Sequence, residues 1–166
     1  PQLHFKWATL PGLKTLADLK GKVVVLDFWA TWCGPCVSSF PQVRELTAHY
    51  KDLAVVVLGV TSIQGSVSGL QPQRIDTKGD PQKEMALMSD YIKAKEITWT
   101  IGFSDEEVFN PDYGITGIPH MAIIAPASAL AVSPWSRCKV AIANAGLKLI
   151  SVFIDPPDLS GPRNLD

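Results

Sequence analysis

Apolar residues fall into two kinds of pattern along this chain, unbroken runs and helical stripes, and the two alternate. Residues 22–30, Lys-Val-Val-Val-Leu-Asp-Phe-Trp-Ala, are apolar and β-branched almost throughout. That is the pattern of a strand covered on both faces in a mostly parallel sheet. Val37, Phe40, Val43, Leu46 and Tyr50 then recur at helical spacing among Arg44, Glu45, His49 and Lys51, so an amphipathic helix should lie on that sheet. Residues 53–60 form a second unbroken run, which completes a β–α–β unit. Residues 81–95 place Met85, Met88, Tyr91 and Ile92 on one stripe, read as the core face of a helix. Residues 97–103 alternate apolar with polar or small positions and suggest a half-buried strand, and residues 121–125 a buried one directly after Pro119.

Residues 61–80 turn to Gly, Ser, Gln and Pro, with Ile63 and Leu70 as apolar points; they read as a loop, long enough to cover a neighbouring site. The last forty residues are unusual, because no acidic residue occurs from Met121 to Ile154. Residues 141–154 are compatible with helix or strand. With 166 residues, 46% hydrophobic, and no repeat or low-complexity linker, the chain is expected to form a single domain over 1–166. A formal net charge of −1 and the lack of a basic run point away from nucleic acid and anionic membrane surfaces. No stretch is long and apolar enough to span a bilayer, and the chain opens at Pro1 without a signal-peptide pattern. It therefore reads as a soluble fragment whose leader or anchor is absent.

The chemistry gathers at Trp32-Cys33-Gly34-Pro35-Cys36, where the first buried strand gives way to a helix. Free backbone N–H groups and the helix dipole at a helix start favour a thiolate, which makes Cys33 the candidate nucleophile. Cys36, one turn on, shares its face and is the candidate resolving thiol. Gly34 permits close approach of a partner, and Pro35 fits the first helical turn. A zinc half-site competes with this reading, but Cys138, His4, His49 and His120 supply no second paired spacing. A structural disulfide also competes, although so short a loop removes little unfolded-state entropy. Asp27 is costly inside an apolar strand unless paired or protonated; it is either a proton-transfer group or an acid hydrogen-bonded to nearby backbone.

Residues 27–36, Asp-Phe-Trp-Ala-Thr-Trp-Cys-Gly-Pro-Cys, resemble the active-site segment of the thioredoxin superfamily. Pro41 falls where that family carries a helix-kinking proline, and residues 113–119, Tyr-Gly-Ile-Thr-Gly-Ile-Pro, resemble its segment before a cis-proline. The lead-in at residues 9–22 and the long stretch from Thr61 to Asp112 are closest to extracytoplasmic oxidoreductases of the TlpA/ResA type. The resemblance covers about residues 5–125. Residues 126–166 depart from it: either the family's ending is replaced, or the tail derives from an altered reading frame.

The resemblance implies an α/β thioredoxin-like fold, with a central mixed β-sheet flanked by helices and an insertion before the cis-proline strand. It implies a thiol–disulfide oxidoreductase that reduces protein disulfides through a Cys33–Cys36 cycle, with no dissociable cofactor and no metal. Asp27 would take the proton of the second thiol, although many TlpA/ResA-type proteins carry an uncharged residue there. Trp32, Gly34, Pro35, Ile118 and Pro119 would bind substrate, with Ile118 offering backbone groups to an extended chain. His120 could tune the thiolate or be an ordinary half-buried side chain. Trp29 reads as core and Cys138 as a bystander. Partners would be disulfide-containing proteins and an electron-donating thiol protein, in the periplasm or cell envelope. A peroxiredoxin-like peroxidase and a non-catalytic binding module stay open as alternatives.

Overall fold

A computed structural model of the protein describes residues 3–110, 112, 114–126 and 149–155. Its strands are β1 (Phe5–Ala8), β2 (Val23–Phe28), β3 (Val55–Thr61), β4 (Ser66–Val67), β5 (Ile75–Asp76), β6 (Thr100–Ser104), β7 (His120–Pro126) and β8 (Leu149–Asp155). Its helices are α1 (Gly34–Ser38), α2 (Phe40–Tyr50) and α3 (Pro81–Ala94), and a short 3-10 turn spans Leu16–Leu19. Six strands form one mixed sheet in the order β1-β6-β3-β2-β7-β8, while β4 and β5 pair separately. The β2–β3 and β3–β6 pairs are parallel; β2–β7 and β1–β6 are antiparallel.

β2 is central, and every one of its six residues is buried, as its unbroken apolar run requires. Alternation sends Val23 and Val25 to a cluster with Cys33, Cys36, Phe40, Val43, Met88 and Tyr91. Val24, Leu26 and Phe28 go to the opposite face, against Leu3, Leu13, Leu19 and Ile115. Among the described residues, then, α1, α2 and α3 supply one cover, and the N-terminal segment with its 3-10 turn supplies the other.

The expected single helix after Cys36 is two. The Val37 and Ser39 amides bond back to the carbonyls of Cys33 and Pro35, and that of Val43 to Ser39. Pro41 has no N–H to offer Val37, so the ladder breaks there and α2 begins anew at Phe40. α3 is delimited by local chemistry. The Asp80 side chain accepts from the Lys83 amide at 3.0 Å, and Pro81 opens the first turn. At the other end Glu96 turns left-handed at φ 51°, while its amide and that of Ile97 bond to the carbonyls of Lys93 and Ile92. This turn delays the next strand, so β6 begins at Thr100 and not at residue 97. Nor is β6 half-buried: Ile101, Gly102, Phe103 and Ser104 are all buried. Strands flank β6 on both edges, and a Cβ on Gly102 would fall 2.7 Å from the Phe5 ring.

Two further differences concern segments with weak patterns. Residues 61–80, read as loop, contain the β4–β5 hairpin, too short for alternation to reveal. At the far edge β8 runs parallel to β7 from Met121↔Leu149 to Pro126↔Asp155. Of the two conformations open to residues 141–154, the structure shows strand for those it describes. A parallel neighbour needs a long crossover, and the stretch between β7 and β8 has the length for one. Tyr113, Cys138 and residues 127–148 lie outside the described residues.

Candidate active site

β2 ends at Phe28, and the next residues carry the chain over the C-terminal edge of the sheet to α1. Cys33 caps α1: its Sγ accepts the Cys36 amide at 3.2 Å, and Gly34 and Pro35 form the first turn. Cys33 and Cys36 are joined in a disulfide with Cα atoms 5.2 Å apart, so the short spacing does bring both sulfurs to one face. A Cβ on Gly34 would meet nothing within 4 Å, which leaves open space beside the disulfide. In this oxidised form both cysteines are buried, Cys33 3% exposed and Cys36 1%, within the cluster beneath α1 and α2.

Asp27 follows the alternation of Val23 and Val25 and so shares the face that holds both cysteines. It is 1% exposed, and its Oδ2 has no hydrogen-bond partner among the described residues. Burial pushes its carboxyl up from 3.8 to about 7. An acid in this state can accept and return a proton near neutral pH. Trp29, two residues on, is fully buried, stacked on Tyr91 at 5.6 Å and edge-on to Phe40 at 5.4 Å. It is core, as its setting in the sequence suggested.

The Ile118–Pro119 peptide is cis. Ile118 is half-buried and packs against the cluster that contains Cys33 and Cys36. His120 is more enclosed than the half-buried side chain allowed for by the sequence. It pairs with Phe28 across β2 and β7, edge-on at 6.0 Å, and burial lowers its pKa. Phe28 points to the face opposite Asp27, so His120 lies across the sheet from the cysteines.

Trp32 is 44% exposed and held from two sides. Its Nε1 donates to Gln64 Oε1 at 2.9 Å, and its ring stacks on Phe109 with centroids 6.4 Å apart and planes at 25°. The Ser68 amide donates to Thr31 Oγ1 at 3.1 Å, so residues 61–80 do lie along the site. Behind them Glu84 of α3 is 2% exposed. Its Oε1 accepts the Gln64 amide, and its Oε2 accepts the Gly65 amide and the Thr77 hydroxyl, at 2.8, 2.8 and 2.6 Å. Gln64, Glu84 and Phe109 belong to no motif in the sequence. Only Glu84 left a signal, since it sits one turn before Met88 on the buried stripe. No group of three or more His, Cys, Asp or Glu side chains that could hold a metal ion occurs among the described residues. No helix among them is long and apolar enough to cross a membrane.

This fold, with a CxxC disulfide where a central strand meets a helix, defines a thioredoxin-like protein. The chain belongs to the Redoxin family, whose profile matches residues 1–132. It is 34% identical over 122 residues to the thioredoxin-like protein YneN of Bacillus subtilis (strain 168), covering 72% of this chain and 61% of YneN. It is 48% identical over 46 residues to the thiol-disulfide oxidoreductase ResA of Oceanobacillus iheyensis, a match of 28% of this chain and 24% of ResA. The chain thus spans less than two thirds of these curated relatives. Among solved structures, a candidate thiol-disulfide oxidoreductase from Bacteroides vulgatus superposes with a TM-score of 0.51 at 26% identity, over 75% of this chain and 72% of that one. The TlpA/ResA likeness and the mixed-sheet thioredoxin-like fold expected from the motifs are therefore found.

Proposed function

We infer that this chain is a thiol–disulfide oxidoreductase that reduces disulfides in other proteins. The observation that carries the reading is the Cys33–Cys36 disulfide at the start of α1, on the same sheet face as the buried carboxyl of Asp27. Likeness to ResA supports it. In the reduced protein the Cys33 thiolate attacks a partner disulfide; a mixed disulfide forms and one partner thiolate leaves. Cys36 then loses its proton to Asp27 and attacks Cys33 Sγ. The Cys33–Cys36 bond reforms and the second partner thiol departs, so two electrons pass from the dithiol to the partner. A thiol protein donates two electrons to restore the dithiol, and no dissociable cofactor takes part. Gly34, Pro35, Trp32, Ile118 and Pro119 border the partner's path, with Ile118 offering backbone groups to an extended segment.

Residues 1–166 form a single domain in this reading, supported by β8 joining the same sheet as β7. By its TlpA/ResA likeness the chain works outside the cytoplasm, in the periplasm or cell envelope. The test is trapping. Cys36→Ser should accumulate a mixed disulfide with a protein substrate, and Cys33→Ser should accumulate little. Equal trapping by both variants would overturn the assignment of nucleophile and resolver. A wild-type protein that reduces no protein disulfide with any dithiol donor would overturn the activity.

A further inference from the structure

Two segments remote in sequence, residues 62–68 after β3 and residues 105–110 after β6, converge on one exposed side chain, Trp32. The first supplies Gln64, whose amide oxygen holds the indole N–H. Gln64 is itself fixed at both ends. Its backbone amide is anchored to Glu84, and its side-chain nitrogen donates to the carbonyl and the hydroxyl oxygen of Ser62 at 3.1 and 3.0 Å. The second segment supplies Phe109, 46% exposed, which stacks on the indole. The two segments are stitched together, because Ser62 Oγ accepts the amide of Val108, next to Phe109, at 3.1 Å. One hydrogen-bonded chain therefore runs from buried Glu84 through Gln64 and Ser62 to the backbone that carries Phe109.

We propose that Trp32 and Phe109 form a prebuilt aromatic platform that selects polypeptide segments with an apolar side chain next to their reacting cysteine. The proposal rests on the oxidoreductase reading and adds the chemistry of the substrate. Three observations carry it. Two large aromatic rings, 44% and 46% exposed, stand side by side and make one contiguous apolar surface of the kind that marks a binding site. Trp32 adjoins Cys33, so a segment in disulfide exchange with Cys33 must pass beside its ring. And the one polar group of the indole is satisfied within the chain by Gln64. The platform offers ring faces and no free donor, which favours an apolar neighbour over a polar one. Holding both rings in place beforehand spares the side-chain ordering that such contact otherwise costs. Gln64 and Ser62 act here as positioning residues.

The test uses two peptides that each carry one disulfide and differ only in having Leu or Ser beside the reacting cysteine. Reduction by the reduced protein is measured for both, and the readout is the ratio of their kcat/KM values. Wild type should favour the Leu peptide about five-fold or more, through KM, since one apolar group in a fitted site gives discrimination of that order. Phe109→Ala should bring the ratio close to one, and Phe109→Tyr should restore it. Gln64→Leu, which frees the indole edge, should lower it part of the way. A ratio near one in wild type, or one that survives Phe109→Ala, would overturn the platform and leave the oxidoreductase reading standing. A wild-type protein that reduces neither peptide would overturn both.

Discussion

Asp27 and Gly59 lie opposite each other in the parallel pairing of β2 and β3. The missing side chain of Gly59 is what lets two indoles close over this part of the sheet. A Cβ there would fall 2.6 Å from Ile101 Cδ1, 2.9 Å from Trp99 Nε1 and 3.0 Å from Trp29 Nε1. Trp29 and Trp99 are buried, and each packs edge-on to the Phe40 ring, so neither can swing away freely. Gly59→Ala should destabilise the protein by about 1–3 kcal/mol, the usual effect of overpacking. Urea unfolding checks this, and an unchanged midpoint would show that the indoles yield.

The burial of Asp27 sets a pH dependence whose sign is fixed. Its carboxyl titrates at about 7 in the folded chain against an ordinary 3.8, so between those values the folded state holds a proton that the unfolded state has released. Stability from this group is full below pH about 4 and is lost as pH rises through about 7. The loss at alkaline pH is on the order of 4 kcal/mol. Asp27→Asn should remove this slope and raise stability at about pH 8 by roughly 2 kcal/mol or more, with little gain at about pH 4. The same variant should slow resolution of the mixed disulfide. Unchanged reduction kinetics between about pH 6 and pH 9 would exclude a proton-transfer role.

The two thiols should differ once the disulfide is opened. Cys33 caps α1 and faces its free N–H groups, whereas Cys36 lies within the helix. Since both sulfurs are enclosed in the oxidised form, the difference must come chiefly from acidity. Iodoacetamide at about pH 6.5 should label Cys33 well before Cys36 in the reduced protein, as read by peptide mass analysis. Prior labelling of Cys36 would reverse their roles.

Glu84 accepts hydrogen bonds from two backbone amides and one hydroxyl in a buried position. Glu84→Leu leaves the amides of Gln64 and Gly65 without that acceptor and should destabilise the chain by about 2–4 kcal/mol. The local effect should exceed the global one. Limited proteolysis should cut within residues 61–80 faster, and acrylamide should quench Trp32 more strongly. Proteolysis at the wild-type rate would show that other contacts hold the segment.

The sequence carried the central strands and the redox pair because each is encoded locally. Val23 to Phe28 is legible as a doubly covered strand from its own composition, and Cys33 and Cys36 declare a disulfide by spacing. Asp27 stood out because it is the one acid in that run. The elements that escaped depend on distant partners. Ser66–Val67 and Ile75–Asp76 are strands only because they meet each other, and β6 starts late because of a left-handed turn at Glu96. Phe109 looks like any aromatic in a loop until Trp32 is set beside it. His120 gave no sign of which side of the sheet it would take, since register alone decides that.

β2 is held along both edges, by residues Val55 to Val60 of β3 and by His120 to Ile124 of β7, and so has no freedom to slide. Because neighbouring residues of a strand face opposite ways, the carboxylate's location is a matter of odd and even. One residue inserted within β2 ahead of Asp27, with the upstream register held and residues 29–32 shortened by one to keep the cysteines in place, would send the acid toward the side of Leu26 and Phe28 and put an apolar side chain on the face of the thiols. Two would return the acid to the cysteine face, two residues further along the strand. Natural variation in strand length at this point should therefore come in pairs wherever an acid serves the redox centre.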